Sequence, residues 1–132
     1  MNSPGKYLLK LEDGRNEPIQ DLEHAERIVL VDQDSVGAKE ITFAYCKFEA
    51  KTSYHKRHVH PQAEEVMYVV SGKGIGGVGN KEFEMVAGDT IWIPQGEVHW
   101  ANNPFAEPLE IIFLYTRPTL KAAGSEIVES SL

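Results

Sequence analysis

The chain has 132 residues, 42% apolar and 25% charged, ordinary proportions for a globular protein and enough for one core but not two. Its net charge of −7 argues against nucleic acid, whose binding rests on Lys and Arg at the phosphates. No apolar run approaches the roughly 20 residues of a membrane span, and the first residues lack the apolar stretch of a signal peptide, so no membrane partner and a cytoplasmic location are expected.

Residues 17–26 are expected to form a short helix. Residues 27–31 are a β-branched strand ended by Asp32-Gln33-Asp34-Ser35. Strands follow at 41–48, 54–60 and 65–70, the last ended by Ser71-Gly72. Gly79-Asn80 reads as a hairpin turn between a short Gly-rich strand and residues 81–86. Residues 90–93 are apolar up to Pro94, residues 97–102 carry a histidine, and 109–116 is the last long strand, closed by Arg117-Pro118. A second short helix is expected within 119–129. Many short strands with Gly, Pro and Asn between them indicate an antiparallel sandwich or barrel. One domain over residues 1–132 is expected, with its core at about 28–116.

Two of these segments carry chemistry. His58 and His60 stand two residues apart in a predicted strand, so their rings share a face and can reach one metal ion at roughly 2.0–2.2 Å. Glu65 opens the next apolar run, and His99 follows the tight turn at Pro94-Gln95-Gly96. Glu64 and Glu65 both open that run, and either can supply a carboxylate. From Glu65, a period of two places Met67 and Val69 on the same face.

Other features read as structural. Gly72-Lys73-Gly74-Ile75-Gly76-Gly77 fits a dinucleotide-binding pattern, but a strand follows where that pattern needs a helix N-terminus. The single cysteine, Cys46, excludes an intrachain disulfide and reads as core, in mid-strand with no base beside it. His24 and His55 read as surface residues. Lys47, Lys51, Lys56 and Arg57 form a basic cluster, a solvated edge that would also draw an anionic substrate toward the site. Met67, Trp92, Trp100, Phe113 and Tyr115 are candidates to line the barrel.

On these residues the chain resembles the cupin family. His58-x-His60, four residues, Glu65, six residues and Gly72 reproduce the family's first motif from its first histidine onward. Gly88, Pro94, Gly96, His99 and Asn103 match the second motif at every position, while Thr52 stands where the first motif begins with Gly. The resemblance implies an all-β double-stranded β-helix, a jelly-roll barrel, with His58, His60, Glu65 and His99 as ligands of one divalent ion. The match to Gly72 selects Glu65 over Glu64. The ligand set suits Mn, Fe, Ni or Zn. Three functions are open at this point. One is a dioxygenase-like oxidoreductase on a small oxygenated organic compound. A second is an isomerase, epimerase or lyase on a sugar or sugar acid. The third is a non-catalytic metal- or ligand-binding module. The non-redox enzyme needs a proton shuttle, for which Glu97, Lys56, Tyr115 and Tyr54 are candidates. A small-molecule substrate, anionic in one version, and a homodimer complete the expectation, with residues 7–11 as a swapped edge strand.

Overall fold

A computed structural model describes residues 7–19 and 22–128, apart from the side chains of residues 53–55. Its strands are β1 (Arg15–Asn16), β2 (Ala25–Val31), β3 (Thr42–Phe48), β4 (Thr52–Val59), β5 (Glu65–Ser71), β6 (Lys73–Val78), β7 (Lys81–Val86), β8 (Thr90–Ile93), β9 (His99–Asn103), β10 (Leu109–Tyr115) and β11 (Glu126–Ile127). Two single helical turns, α1 (Gln33–Val36) and α2 (Leu120–Ala123), join them. The strands form two antiparallel sheets, in the order β1-β2-β3-β10-β5-β8 and β11-β4-β9-β6-β7. Their buried side chains meet in one apolar cluster, which is the jelly-roll arrangement of an all-β protein.

Alternation within the strands decides what lines the interior. Along β3, Ala44, Cys46 and Phe48 are buried while the residues between them are half-exposed. On β5, Glu65, Met67 and Val69 point in, and Val66, Tyr68 and Val70 point out. Antiparallel register then aligns the inward residues in rows: Arg27, Cys46, Ile111 and Val69 form one, and Tyr115, Glu65 and Ile93 form another. An interior carboxylate and an interior arginine thus come from the same sheet.

The expected strands all form. Residues 17–26 differ. Residues 17–19 and 22–24 are irregular, and β2 already begins at Ala25. Leu22 is buried and Ile19 packs on the core, so the described residues on either side of 20–21 lie against the barrel as irregular chain. Arg27 fixes it, donating from Nε to the Glu17 carbonyl at 2.9 Å and from Nη2 to that of Pro18 at 3.2 Å. The second expected helix shrinks to α2, because Gly124 ends it and β11 pairs with β4. Residues 7–10 lie outside the strands, with Tyr7 and Leu8 exposed. No helix among the described residues is long and apolar enough to cross a membrane.

The family's Gly positions have local explanations. Thr52, in place of the expected Gly, is buried, and its hydroxyl donates to the carbonyls of Glu49 and His24. The left-handed conformation falls instead on Lys51, at φ 59°. In the Gly-rich strand, a Cβ at Gly77 would overlap the Trp100 ring, so β6 is a packing surface for the indole.

Candidate metal centre

His58 and His60 lie at the end of β4 and just beyond it, and His99 opens β9, paired in register with His58. The turn before His99 is fixed to the His60 segment. The Gly96 N–H donates to the His60 carbonyl at 3.2 Å, and the Gln95 amide to that of Pro61 at 2.9 Å. Gly96 adopts φ 75°, which a side chain would resist. From the opposite sheet, Glu65 faces inward at 4% exposure, while Glu64 is exposed and accepts the Trp92 Nε1–H at 2.9 Å. All four expected ligands are buried.

Each histidine is oriented by a backbone carbonyl. The Nδ1 of His58 lies 2.7 Å from the Lys56 carbonyl, that of His60 lies 2.6 Å from Gly124, and that of His99 lies 3.0 Å from Glu97. A carbonyl can only accept, so each Nδ1 carries a ring proton, and the tautomer with a lone pair at Nε2 is the one that can ligate a metal. The three rings offer one ligand atom each, and these lie within 4.8 Å of one another. Glu65 Oε1 is 3.1 Å from His99 Nε2 and 3.4 Å from His60 Nε2. Yet His60 Nε2, His99 Nε2 and Glu65 Oε1 are buried without a hydrogen-bond partner.

That arrangement tests the implied metal. Three buried polar atoms facing one another without a hydrogen bond are costly unless protons or a cation lie between them. Donors sharing an ion at about 2.1 Å stand about 3.0 Å apart when adjacent, close to the separations seen. The residues fit a divalent ion. Without one, burial disfavours the Glu65 charge, but His60 and His99 outweigh it and hold the carboxyl below its ordinary range. Burial likewise opposes charge on His99, and Glu65 raises its pKa nonetheless.

Of the other expected residues, the side chains of Tyr54 and His55 lie outside the described residues. The Glu97 and Lys56 side chains are exposed, and each serves the centre through its backbone carbonyl. Glu97 borders an open groove between β7 and β8. Tyr115 is buried, its ring centroid 4.6 Å from that of His60. Burial and then the Glu65 charge push its pKa well above 10, so it holds its proton. Of the basic cluster, Lys47 pairs loosely with Glu49 at 3.9 Å, and Arg57 stacks over Trp100 at 4.1 Å. Cys46 is core, its thiol pushed up to about 12 by burial. Met67, Phe113 and Tyr115 face the interior, whereas Trp92 is 61% exposed.

Sequence reasoning missed two contributors. The Gly124 carbonyl that orients His60 lies 64 residues away in the chain, and only the pairing of β11 with β4 brings it close. Arg27 lines the same cavity as His58, Glu65 and His99. Its signal was present as the one charged residue opening an otherwise apolar strand run, Arg27-Ile28-Val29-Leu30-Val31.

Comparison with known proteins agrees with this architecture. An uncharacterized protein of Methanocaldococcus jannaschii is 35% identical over 80 residues, covering 61% of this chain and 61% of that protein. The polyketide cyclase RemF from Streptomyces resistomycificus superposes with a TM-score of 0.78 at 18% identity, over 96% of this chain and 87% of that one. Bacillus subtilis oxalate decarboxylase, a protein with Mn(II) centres, superposes with a TM-score of 0.71 at 24% identity. That match covers 85% of this chain but only 30% of the decarboxylase. The Cupin domain family model matches residues 44–115, from within β3 to the end of β10. The match contains both sequence motifs and all four converging donors, and on it the chain belongs to the cupin family.

Proposed function

We propose that the chain is a metal-dependent cupin oxidoreductase, dioxygenase-like, acting on a small oxygenated organic substrate that arrives already ionised. One observation carries the reading: three buried histidine donors converge with Glu65 beside two of them, while Glu97 and Lys56, two of the four candidate proton shuttles, have exposed side chains. An isomerase or lyase needs such a shuttle beside the substrate, whereas oxidation of an ionised chelate does not. His58, His60, Glu65 and His99 would hold a divalent ion such as Fe or Mn, which would supply Lewis acidity toward an oxygenated substrate and reactivity with dioxygen. The chain's own residues do the rest. The carbonyls of Lys56, Gly124 and Glu97 keep the three imidazoles in the ligating tautomer. Glu65 contributes the one negative charge among the four donors. Met67, Ile111 and Phe113 wall the cavity with apolar surface and limit water there. The Tyr115 hydroxyl keeps its proton.

Metal analysis of protein purified without chelator, paired with aerobic and anaerobic turnover of small hydroxy- and oxo-compounds, tests the reading. About one equivalent of metal and substrate-dependent oxygen uptake are expected. Anaerobic turnover without oxygen uptake would replace it with the isomerase or lyase reading. The proposal also includes a second copy of the chain as partner. The outward row of Val66, Tyr68, Val70 and Trp92, each at least 37% exposed, supports this on the six-stranded sheet. Sedimentation that returned a monomer at micromolar concentration would remove it.

A further inference from the structure

We propose that Arg27 is the anchor for a carboxylate, and that the site takes a short-chain carboxylate of about two carbons whose acid group lies on that guanidinium. The proposal deepens the reading above and rests on it. Arg27 sits on β2 in register with Cys46, so its side chain enters the barrel from the interior face of the six-stranded sheet. It lines one cavity together with His58, Glu65 and His99, and the remaining wall is largely apolar. Among the described residues the Arg27 side chain makes two hydrogen bonds, to the Glu17 and Pro18 carbonyls. A guanidinium has five N–H groups, so three are left to serve a ligand.

Arg27 is half-buried, and a partly desolvated cation gains from an anion beside it. Here the chain supplies no carboxylate to Arg27 among the described residues, although it pairs Arg15, another arginine of the same sheet, with Asp32 and Glu17. The carbonyl bonds hold the guanidinium in place before a ligand arrives, which lowers the ordering cost of binding. Its charge is felt inside the cavity. It acts to lower the pKa of Cys46, its neighbour in register, against the effect of burial. Size sets the rest of the assignment. The cavity measures about 40 Å³. A water needs roughly 10–15 Å³ of such volume, so the space suits about three or four water-sized groups. That accommodates a carboxylate and a short stem, with the far end toward the three histidines. Planar, paired N–H groups suit a carboxylate better than a hydroxyl or an amide.

The test titrates glycolate and its neutral isostere glycolamide into the full chain by calorimetry at pH 8, zinc-loaded and after chelation. The parent protein is expected to bind glycolate at least about tenfold more tightly than glycolamide in both states, the span of a charge-assisted bond. Arg27→Gln is expected to erase that preference while metal content stays at the parent level. Arg27→Lys, which keeps the charge without the fork, should retain part of it. If Arg27→Gln lowers the melting temperature but binds glycolate as well as the parent, Arg27 is only a strap and the proposal is overturned. Absence of any carboxylate preference in the parent overturns it too. Should Arg27→Gln fail to fold, the Arg27→Lys titration and the parent ratio after chelation decide. Failure of the metal reading is separate, since it would show as protein that takes up no zinc.

Discussion

Asn103 stands four residues beyond His99 on β9, at the opposite end of the interior, and its side chain is fully buried. Its Nδ2 donates toward the carbonyls of Phe48 at 3.2 Å, Glu49 at 3.1 Å and Glu107 at 2.8 Å, while Oδ1 accepts the Phe105 N–H at 3.1 Å. One amide thus ties the end of β3, the turn after it and the loop before β10. Asn103→Ala leaves several buried polar groups without partners and is expected to cost about 3 kcal/mol. Thermal unfolding should show a melting temperature about 10 °C lower. Asn103→Asp is expected to be no better, because a carboxylate cannot donate to those carbonyls. A variant of either kind that melted with the parent would show that the loop carries no stability. This residue was visible in the sequence as the last position of the second motif. Its physical reason appears only when three distant carbonyls converge on it.

At the level of elements, the turn that ends β2 shows how charge is used structurally. Asp32 caps α1, accepting the Ser35 N–H at 2.8 Å, and its other oxygen accepts Arg15 Nη2 at 2.7 Å. Burial pushes the Asp32 pKa up, but Arg15 and Ser35 outweigh it and the carboxyl sits below its ordinary value. A depressed folded pKa means stability that is complete above the unfolded value, about pH 3.9, and lost as pH falls through the folded one. Asp32→Asn keeps an acceptor for Ser35 but not the charge opposite Arg15. Urea unfolding is expected to show a deficit of about 2 kcal/mol at pH 7 that narrows below pH 4. A deficit unchanged at pH 3 would mean that shape, not charge, is responsible. The elements that sequence located well have hard stops at both ends, as with β8 between Gly88-Asp89 and Pro94, or the β6–β7 turn at Gly79-Asn80. Residues 17–26 misled because Ile19, Leu22 and Ala25 recur at helical spacing. Burial of the first two over the barrel, beside Pro18, satisfies the same apolar side chains without a helix. Tertiary packing decided that segment, as it does wherever local propensity is weak.

For the whole molecule, the placement of the four donors couples the site to the fold. Three come from the β4 and β9 side, in the five-stranded sheet and the turn after it, and Glu65 comes from β5 in the six-stranded sheet. Three of their buried ligand atoms, drawn from both sheets, have no hydrogen-bond partner. An ion held by these residues would tie the two sheets together, and it would favour the folded chain because the unfolded one has no such site. At a free metal concentration of 100 times Kd, the folded state gains about 2.7 kcal/mol. For a chain of this length that corresponds to a rise of about 10 °C in melting temperature. Calorimetry with excess metal and then with chelator should show the difference, and the melting point should climb with the logarithm of free metal. His99→Ala is expected to melt near the metal-free parent and to lose most of the metal response, since it removes one donor together with one of the unpartnered atoms. A melting temperature indifferent to metal in the parent would mean that the four donors do not act as one site across the barrel.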